Sequence, residues 1–123
     1  MKILQLNTWM GKVEGNLQRF FENNDFDIIC LQEVMSSEST PLHLSRLCFS
    51  ASRIVAASKM PYVYFSPNWS SNLADGSFEL GNLILSKIPF VSQETHFVNG
   101  EFIKDVILKQ TPSNSLNVQI VTL

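Results

Sequence analysis

Two polar side chains, Asn7 and Glu33, each close an apolar segment, and this pattern could support chemistry. Glu33 follows residues 28–31, where four apolar side chains succeed one another without polar alternation. Such a run is typical of a strand that is covered on both faces, as in parallel sheets. A carboxylate at its end is costly unless water, hydrogen bonds or a cation compensate the charge. Glu33 is therefore either a site carboxylate or an ordinary strand-end glutamate that reaches water.

The segments around these two residues predict a βαβ unit. Residues 2–9 form a first strand that ends near Asn7. Apolar residues at helical spacing over 13–21 predict a helix, and residues 28–34 form the second strand. The right-handed crossover makes the two strands parallel, with their carboxyl ends on the same side. Asn7 and Glu33 are therefore expected to share one edge of a sheet.

The rest of the chain predicts one more helix and an antiparallel meander. Thr40-Pro41 is typical of a helix start, since threonine caps helices and proline suits their first position. Asn99-Gly100 predicts a tight type I′ hairpin turn between residues 91–98 and 101–109. The other expected segments are the apolar helical stripe to Ser58, a short aromatic strand over 62–65, a polar loop over 67–76 with an Asp75-Gly76 turn, a buried strand over 80–86 and a last strand over 116–123.

Composition limits the class of protein. The 123 residues are 45% hydrophobic and 16% charged, which suits one globular domain with its own core. Nine Lys and Arg against eleven Asp and Glu give no global basic field for nucleic acid. Cys30 and Cys48 both lie in apolar patterns and are expected to be reduced thiols. With no signal-peptide core and no apolar run of about 20 residues, a cytoplasmic protein without a membrane span is expected.

Three motifs stand in a particular order: Leu6-Asn7-Thr8-Trp9, then Leu31-Gln32-Glu33-Val34, then Gly81-Asn82-Leu83-Ile84-Leu85-Ser86-Lys87-Ile88-Pro89. In this order and spacing the chain resembles the first half of the endonuclease/exonuclease/phosphatase superfamily, the deoxyribonuclease I-like metal-dependent phosphoesterases. The resemblance covers residues 1–123 and implies the amino-terminal part of a single domain. The implied fold class is α/β: half of a four-layered α/β sandwich, with one mixed sheet and two helices on its outer face.

The resemblance also implies an activity and its residues. Glu33 matches the family's metal-ligating carboxylate, and Asn7 matches the amide that reaches the same Mg²⁺ or Mn²⁺ or the scissile phosphate. Glu79 lies near the position where some members carry an acid that orients a catalytic histidine. Asn82 fits the pattern as a substrate-binding position. The implied reaction is Mg²⁺-dependent hydrolysis of a phosphodiester or phosphomonoester, in a nucleic acid or a small phosphate ester.

The chain departs from the family in its remaining catalytic residues. Members take the general-base histidine, an Asp-x-Asn pair and a terminal Asp-His pair from their second half, and His43 and His96 are expected on solvated or packing faces instead. Trp9 and Trp69 have two interpretations, stacking on a base near the site or packing in the core or at its rim. The chain alone is therefore expected to be inactive. The alternative is a non-catalytic fragment or interaction module that self-associates through an uncovered sheet face.

Overall fold

The computed structural model describes residues 1–12, 14–36, 48–106 and 115–123. The chain begins with β1 (Ile3–Asn7), continues through α1 (Glu14–Asn23) and returns in β2 (Ile28–Met35). β1 and β2 pair in parallel, with Ile3 opposite Ile28 and Asn7 opposite Gln32. This is the predicted βαβ unit, and it brings the carboxyl ends of both strands to one edge of the sheet.

The second helix, α2 (Ala51–Ser58), is shorter than the sequence predicts. The apolar stripe predicted one continuous helix, but Ser50 has an extended backbone (φ −74°, ψ 169°) and α2 begins after it. The preceding Phe49 donates its backbone N–H to the Gly11 carbonyl at 3.2 Å, so this stretch is held by the loop after β1. The predicted helix start at Thr40-Pro41 lies outside the described residues.

A long antiparallel hairpin of β3 (Tyr62–Leu73) and β4 (Gly76–Ser86) follows. The predicted polar loop over 67–76 is wrong for most of its length, because β3 continues through it to Leu73. The pairing register shifts between Pro67 and Trp69, and this bulge accommodates a proline that has no N–H for the ladder. The predicted Asp75-Gly76 turn is confirmed at the tip of the hairpin. Trp69 lies in the core with 5% of its surface exposed.

The four strands form one mixed sheet in the order β1-β2-β4-β3, and both helices cover the same face of it. Leu17 and Phe21 of α1 and Ile54 of α2 pack with side chains of the sheet in a single apolar cluster. The sheet residues in that cluster alternate along their strands except across the register shift in β2, and they are Leu4, Leu6, Ile29, Leu31, Val34, Phe65, Leu83 and Leu85. The period of two therefore directs one side of each strand to the helices.

A second sheet consists of β5 (Ser92–Asn99) and β6 (Leu116–Thr122) in antiparallel pairing. The predicted hairpin between β5 and residues 101–109 is wrong, since the partner of β5 is β6. Asn99 does not adopt the positive φ that a type I′ turn needs at both central residues, whereas Gly100 does, at 68°. Ile103 instead bridges to Trp69 at the outer edge of β3. Residues 107–109 of the predicted strand lie outside the described residues.

The β5–β6 sheet packs on the face of the mixed sheet opposite the helices. Thr95 of β5 shares its hydroxyl with Tyr64 (2.5 Å) and Ser66 (2.7 Å) of β3. Gln119 of β6 donates its side-chain amide to the Tyr64 carbonyl at 3.0 Å. The prediction of a mixed sheet with two helices on its outer face is confirmed. The expectation that the chain builds only one sheet is wrong, because β5 and β6 begin a second one.

Candidate functional site

Asn7 and Glu33 meet at the carboxyl edge of β1 and β2, as the βαβ geometry predicts. The Asn7 side-chain Nδ2 donates a hydrogen bond to Glu33 Oε1 at 2.9 Å. The Asn7 Oδ1 accepts the backbone N–H of Trp9, also at 2.9 Å. These two bonds together set the orientation of the Asn7 amide, with its nitrogen toward the carboxylate. The structure therefore presents Glu33 as a carboxylate held from one side by a fixed amide.

A β-bulge turns Glu33 toward this edge. Leu31 of β2 lies opposite Leu83 and Val34 lies opposite Gly81, so that Gln32 and Glu33 together face a single residue of β4, Asn82. Glu33 has a left-handed backbone with φ 55°. This conformation costs a non-glycine residue roughly 1–2 kcal/mol. Bulges of this kind redirect a side chain beside functional sites, and without it the strand alternation would place Glu33 on the face that the helices cover.

Thr8 fixes the backbone beneath Glu33. Its side chain is 1% exposed, and its hydroxyl lies 2.8 Å from the Glu33 carbonyl oxygen and 3.1 Å from the Gln32 carbonyl oxygen. The Thr8 N–H also donates to the Gln32 carbonyl at 2.9 Å. Thr8 was not among the predicted site residues. In the sequence, only its position directly after Asn7 pointed to a role at the site. The bulge is what brings the Gln32 and Glu33 carbonyl oxygens within reach of its hydroxyl.

The loop after Thr8 is backbone-strained and anchored at its far end. Trp9 and Met10 have positive φ angles of 49° and 56°, and Gly11 follows at 76°. Gly11 lies against Phe49, since a Cβ at Gly11 would be 2.2 Å from the Phe49 nitrogen. Met10 is partly buried against the apolar cluster that contains Trp69, whereas Trp9 is 66% exposed. The loop thus holds an exposed indole beside the Asn7–Glu33 pair.

Asn82 lies across the bulge from Glu33 but makes its contacts with the second sheet. Its Nδ2 donates to the backbone carbonyl (3.0 Å) and the side-chain Oδ1 (2.7 Å) of Asn117 on β6. Asn117 is 7% exposed and in turn donates to Ser66 and Pro67 of β3. This buried amide network joins the two sheets next to the candidate site, and no pattern in the sequence predicts it.

Glu79 lies further along β4, at the end of β2. Its backbone N–H donates to the Ser36 hydroxyl at 2.8 Å, and the Ser36 N–H donates to its carbonyl at the same distance. Glu79 lines a cavity of about 680 Å³ with Ser36, Phe78 and Lys104 among its walls. The structure therefore brings together Asn7 and Glu33 and places Asn82 opposite their strand ends, while Glu79 lines a cavity whose walls do not include Asn7 or Glu33.

The histidines do not join the site within the described part of the chain. His96 is exposed on β5, where its Nε2 lies 3.0 Å from the Glu94 carboxylate. His43 lies outside the described residues. Among residues 1–12, 14–36, 48–106 and 115–123, no group of three or more His, Cys, Asp or Glu side chains could hold a metal. In the same ranges no helix is long and apolar enough to cross a membrane.

The donor set at the edge is suited to a hard divalent cation. Glu33 offers a carboxylate, and the Asn7 Oδ1 retains a second lone pair beside the one that accepts the Trp9 N–H. Mg²⁺ is commonly bound by one or two protein oxygens with water in the remaining positions. The Glu33 carboxylate at this partly exposed edge is consistent with that mode, in which protein ligands are few, whereas the Asn7 amide turns its nitrogen toward Glu33 and its oxygen toward the Trp9 N–H.

The fold and the site define an α+β protein with a polar Asn–Glu pair at the carboxyl edge of its mixed sheet. Residues 4–123 match the family model described as the Endonuclease/Exonuclease/phosphatase family. Because this match covers nearly the whole chain, the protein belongs to that family. Its members form a phosphoesterase superfamily.

A solved structure supports the fold. The endonuclease/exonuclease/phosphatase family protein from Leptotrichia buccalis C-1013-b is similar with a TM-score of 0.53 and 16% sequence identity over 80% of this chain. The chain spans 41% of the length of that protein. No curated protein sequence matches the chain.

Proposed function

We propose that this chain carries the metal-binding end of a Mg²⁺-dependent phosphoesterase site, with Glu33 as the ligand and Asn7 as its neighbour. The observation that carries the proposal is the hydrogen bond of 2.9 Å between Asn7 Nδ2 and Glu33 Oε1 at the carboxyl ends of two parallel strands. Sites of open α/β sheets lie at such strand ends. Family membership supplies the class of reaction, hydrolysis of a phosphoester.

Each residue has a separate task in this proposal. Glu33 provides the negative charge that a divalent cation requires, and the bulge directs it to the edge of the sheet. Asn7 holds one carboxylate oxygen and so limits the rotation of the Glu33 side chain before any ligand arrives. The Thr8 hydroxyl donates to the backbone carbonyl of Glu33 and so fixes the backbone there. When bound, the cation supplies charge stabilisation at the phosphoryl and leaving-group oxygens.

Asn7 and Glu33 supply only part of such a site. In this proposal residues 1–123 are the amino-terminal part of a longer catalytic domain, and hydrolysis depends on groups beyond those described. The chain is then expected to bind the metal without turning over substrate. The substrate is a phosphodiester or phosphomonoester, which includes nucleic acids.

Metal binding is the direct test, because it needs no turnover. Mn²⁺ serves as the probe, and its binding is followed by the relaxation rate of water protons at increasing protein concentration. We expect Glu33→Gln to weaken Mn²⁺ binding at least tenfold, because a neutral amide replaces the charged ligand. Glu101→Gln is the matched control, since Glu101 is an exposed carboxylate on a different segment. Equal weakening in both variants, or in neither, overturns the proposal.

A second candidate function is self-association through β6. Leu116, Val118 and Ile120 alternate along its outer face with 52%, 44% and 49% of their surfaces exposed. Val98 on β5 extends this apolar row with 67% exposed. Exposed apolar rows mark interaction sites more often than scattered exposed residues do, and here the row is bordered by His96 and Glu94 of β5, opposite Val118 and Ile120. We infer that two copies of the chain associate through this row, so that each copy buries the apolar row of the other.

Sedimentation velocity over a hundredfold concentration range tests the association. The wild-type chain is expected to show a dimer that dissociates on dilution. Val118→Asp places a charge in the row and is expected to give a monomer throughout. Gln93→Asp adds the same charge at an exposed position of β5, on the face of the sheet opposite to the row. This variant is expected to behave as wild type. A wild-type chain that stays monomeric at every concentration excludes this function.

A further inference from the structure

Trp9 lies at the candidate site and is largely exposed. Its backbone N–H donates to the Asn7 Oδ1 at 2.9 Å, and the Asn7 amide contacts Glu33 at the same distance. The backbone of Trp9 therefore contacts the residue that holds the proposed metal ligand. It is 66% exposed, although tryptophan is among the side chains that gain most from burial.

The other tryptophan shows what a structural indole looks like in this fold. Trp69 is 5% exposed and packs edge-to-face against Phe78, with ring centroids 5.7 Å apart. Trp9 makes no ring contact with an aromatic side chain in the described part of the chain. Trp9, unlike Trp69, is therefore not part of the core, and its exposed ring is available to a ligand.

The loop that carries Trp9 is rigid at both ends. Thr8 is buried and bonded to the carbonyl groups of β2, and Gly11 is pressed against the Phe49 backbone. Between them Met10 turns its side chain into the apolar cluster, which leaves Trp9 as the outward residue. The left-handed φ of 49° at Trp9 is strained, and strain of this kind concentrates at ligand sites. An exposed ring on a backbone that is anchored on both sides, next to the candidate site, offers a surface to a planar group.

We propose that Trp9 stacks on an unpaired nucleobase of the substrate while the adjoining phosphate lies at the cation site that Glu33 would hold. The inference rests on the proposed phosphoesterase function and names its substrate class. Stacking suits this chain because nine basic residues face eleven acidic ones, so phosphate contacts alone offer little affinity. A base–aromatic contact tolerates any base and requires that the base be free of a duplex stack.

The surroundings of Trp9 favour a base over a lipid surface. Within the loop, Met10 packs against an apolar cluster, Gly11 is buried and Lys12 is exposed and charged, so Trp9 is the one exposed apolar side chain of residues 9–12. Insertion into a membrane needs several apolar side chains that project together from an amphipathic surface. A single ring on a rigid support instead suits a single planar ligand.

Fluorescence of Trp9 tests the stacking without turnover. The chain has two tryptophans, so Trp69→Phe leaves Trp9 as the only indole. Adenosine 5′-monophosphate is expected to quench its emission in a saturable manner, while ribose 5-phosphate, which has the same phosphate and no base, leaves the emission unchanged. In the matched variant Trp9→Phe, only the buried Trp69 emits, and no quenching is expected from either ligand.

Equilibrium dialysis provides a second measurement that does not depend on fluorescence. Trp9→Ala is expected to reduce the affinity for adenosine 5′-monophosphate at least fivefold, and Trp9→Phe, which retains a ring, is expected to lose less than Trp9→Ala. Ribose 5-phosphate is expected to bind all three proteins equally. An equal loss of both ligands in Trp9→Ala overturns the inference, because it identifies a structural effect.

The outcomes separate this inference from the proposed function. Glu33→Gln that loses Mn²⁺ binding while the nucleotide still quenches Trp9 supports both. Unchanged Trp9 emission with the nucleotide, alongside Glu33-dependent Mn²⁺ binding, overturns the stacking alone. A blue shift of Trp9 emission with phosphatidylcholine vesicles, and no response to the nucleotide, overturns it in favour of a lipid surface.

Discussion

The Thr8 hydroxyl and the Glu33 backbone carbonyl are 2.8 Å apart, and this bond ties the residue after β1 to the bulge of β2. Thr8 is 1% exposed, so its hydroxyl has little access to water and depends on this partner. The positions of Asn7 and Glu33 therefore depend on a neutral side chain that has no chemistry of its own.

Thr8→Val keeps the shape of the side chain and removes this donor. We expect a loss of about 1–3 kcal/mol in the free energy of unfolding, because the Glu33 carbonyl loses a buried partner. Thr8→Ser retains the hydroxyl and is expected to lose less, about 1 kcal/mol for the missing methyl group. Urea unfolding measures both. Equal stabilities of the two variants contradict the role of the hydroxyl.

The strained backbone of Glu33 predicts an unusual order of stability. In a strand interior, glycine is normally less stable than alanine by roughly 0.5–1 kcal/mol. At Glu33, with φ 55°, we expect Glu33→Gly to be more stable than Glu33→Ala by about 1 kcal/mol, since glycine adopts this conformation without strain. Thermal and urea unfolding of the two variants give the comparison. The normal order is evidence against the left-handed conformation.

Gly11 is expected to tolerate no side chain. Gly11→Ala brings a Cβ within 2.2 Å of the Phe49 nitrogen at a φ of 76°, and we expect a loss of about 2 kcal/mol or more. Gly15→Ala is the matched control, because nothing lies within 4 Å of its added Cβ and it sits in α1. That variant is expected to gain about 0.5 kcal/mol. Circular dichroism during urea unfolding measures both changes.

The Asn117 side chain joins the second sheet to the mixed sheet, and we expect its hydrogen bonds to contribute to the stability of the fold. Its Nδ2 lies 3.0 Å from the Ser66 hydroxyl and 3.1 Å from the Pro67 carbonyl, in a buried environment. We expect Asn117→Ala to lower the free energy of unfolding by about 2 kcal/mol, because these partners and Asn82 lose a buried bond. Asn23→Ala, at the exposed end of α1, is expected to change it by less than about 0.5 kcal/mol. Urea unfolding provides the measurement, and similar losses in both variants contradict the coupling.

The partly buried Cys30 thiol is expected to make the stability of the fold depend on pH. Burial raises the pKa of its thiol above the ordinary value of 9.0, so the folded chain retains this proton where the unfolded chain has lost it. The resulting contribution to stability is complete below pH 9 and is lost as the pH rises through the folded pKa. Iodoacetamide labelling, read by mass spectrometry, is expected to modify Cys30 more slowly in the folded chain than in urea at pH 8 to 9. Equal rates contradict the raised pKa.

The order of residues in the sequence was sufficient to predict the βαβ unit and the meeting of Asn7 with Glu33. A partly alternating segment, a helical stripe and an unbroken apolar run specify β1, α1 and β2 locally, and handedness then places both strand ends on one edge. Local patterns were less informative for β3, because serine, asparagine and proline read as a loop over 67–73. The pairing with β4 supplies the hydrogen bonds that carry the strand through them.

Only the tertiary structure decided how the site is supported. The bulge at Glu33 arises from a register shift between β2 and β4, which are nearly fifty residues apart, and no local propensity specifies it. The pairing of β5 with β6 instead of residues 101–109 was likewise decided by distant partners, since the edge of β3 holds Ile103. Sequence determined which residues reach the edge of the sheet. Long-range register and burial determined the direction of Glu33, the role of Thr8 and the exposure of Trp9.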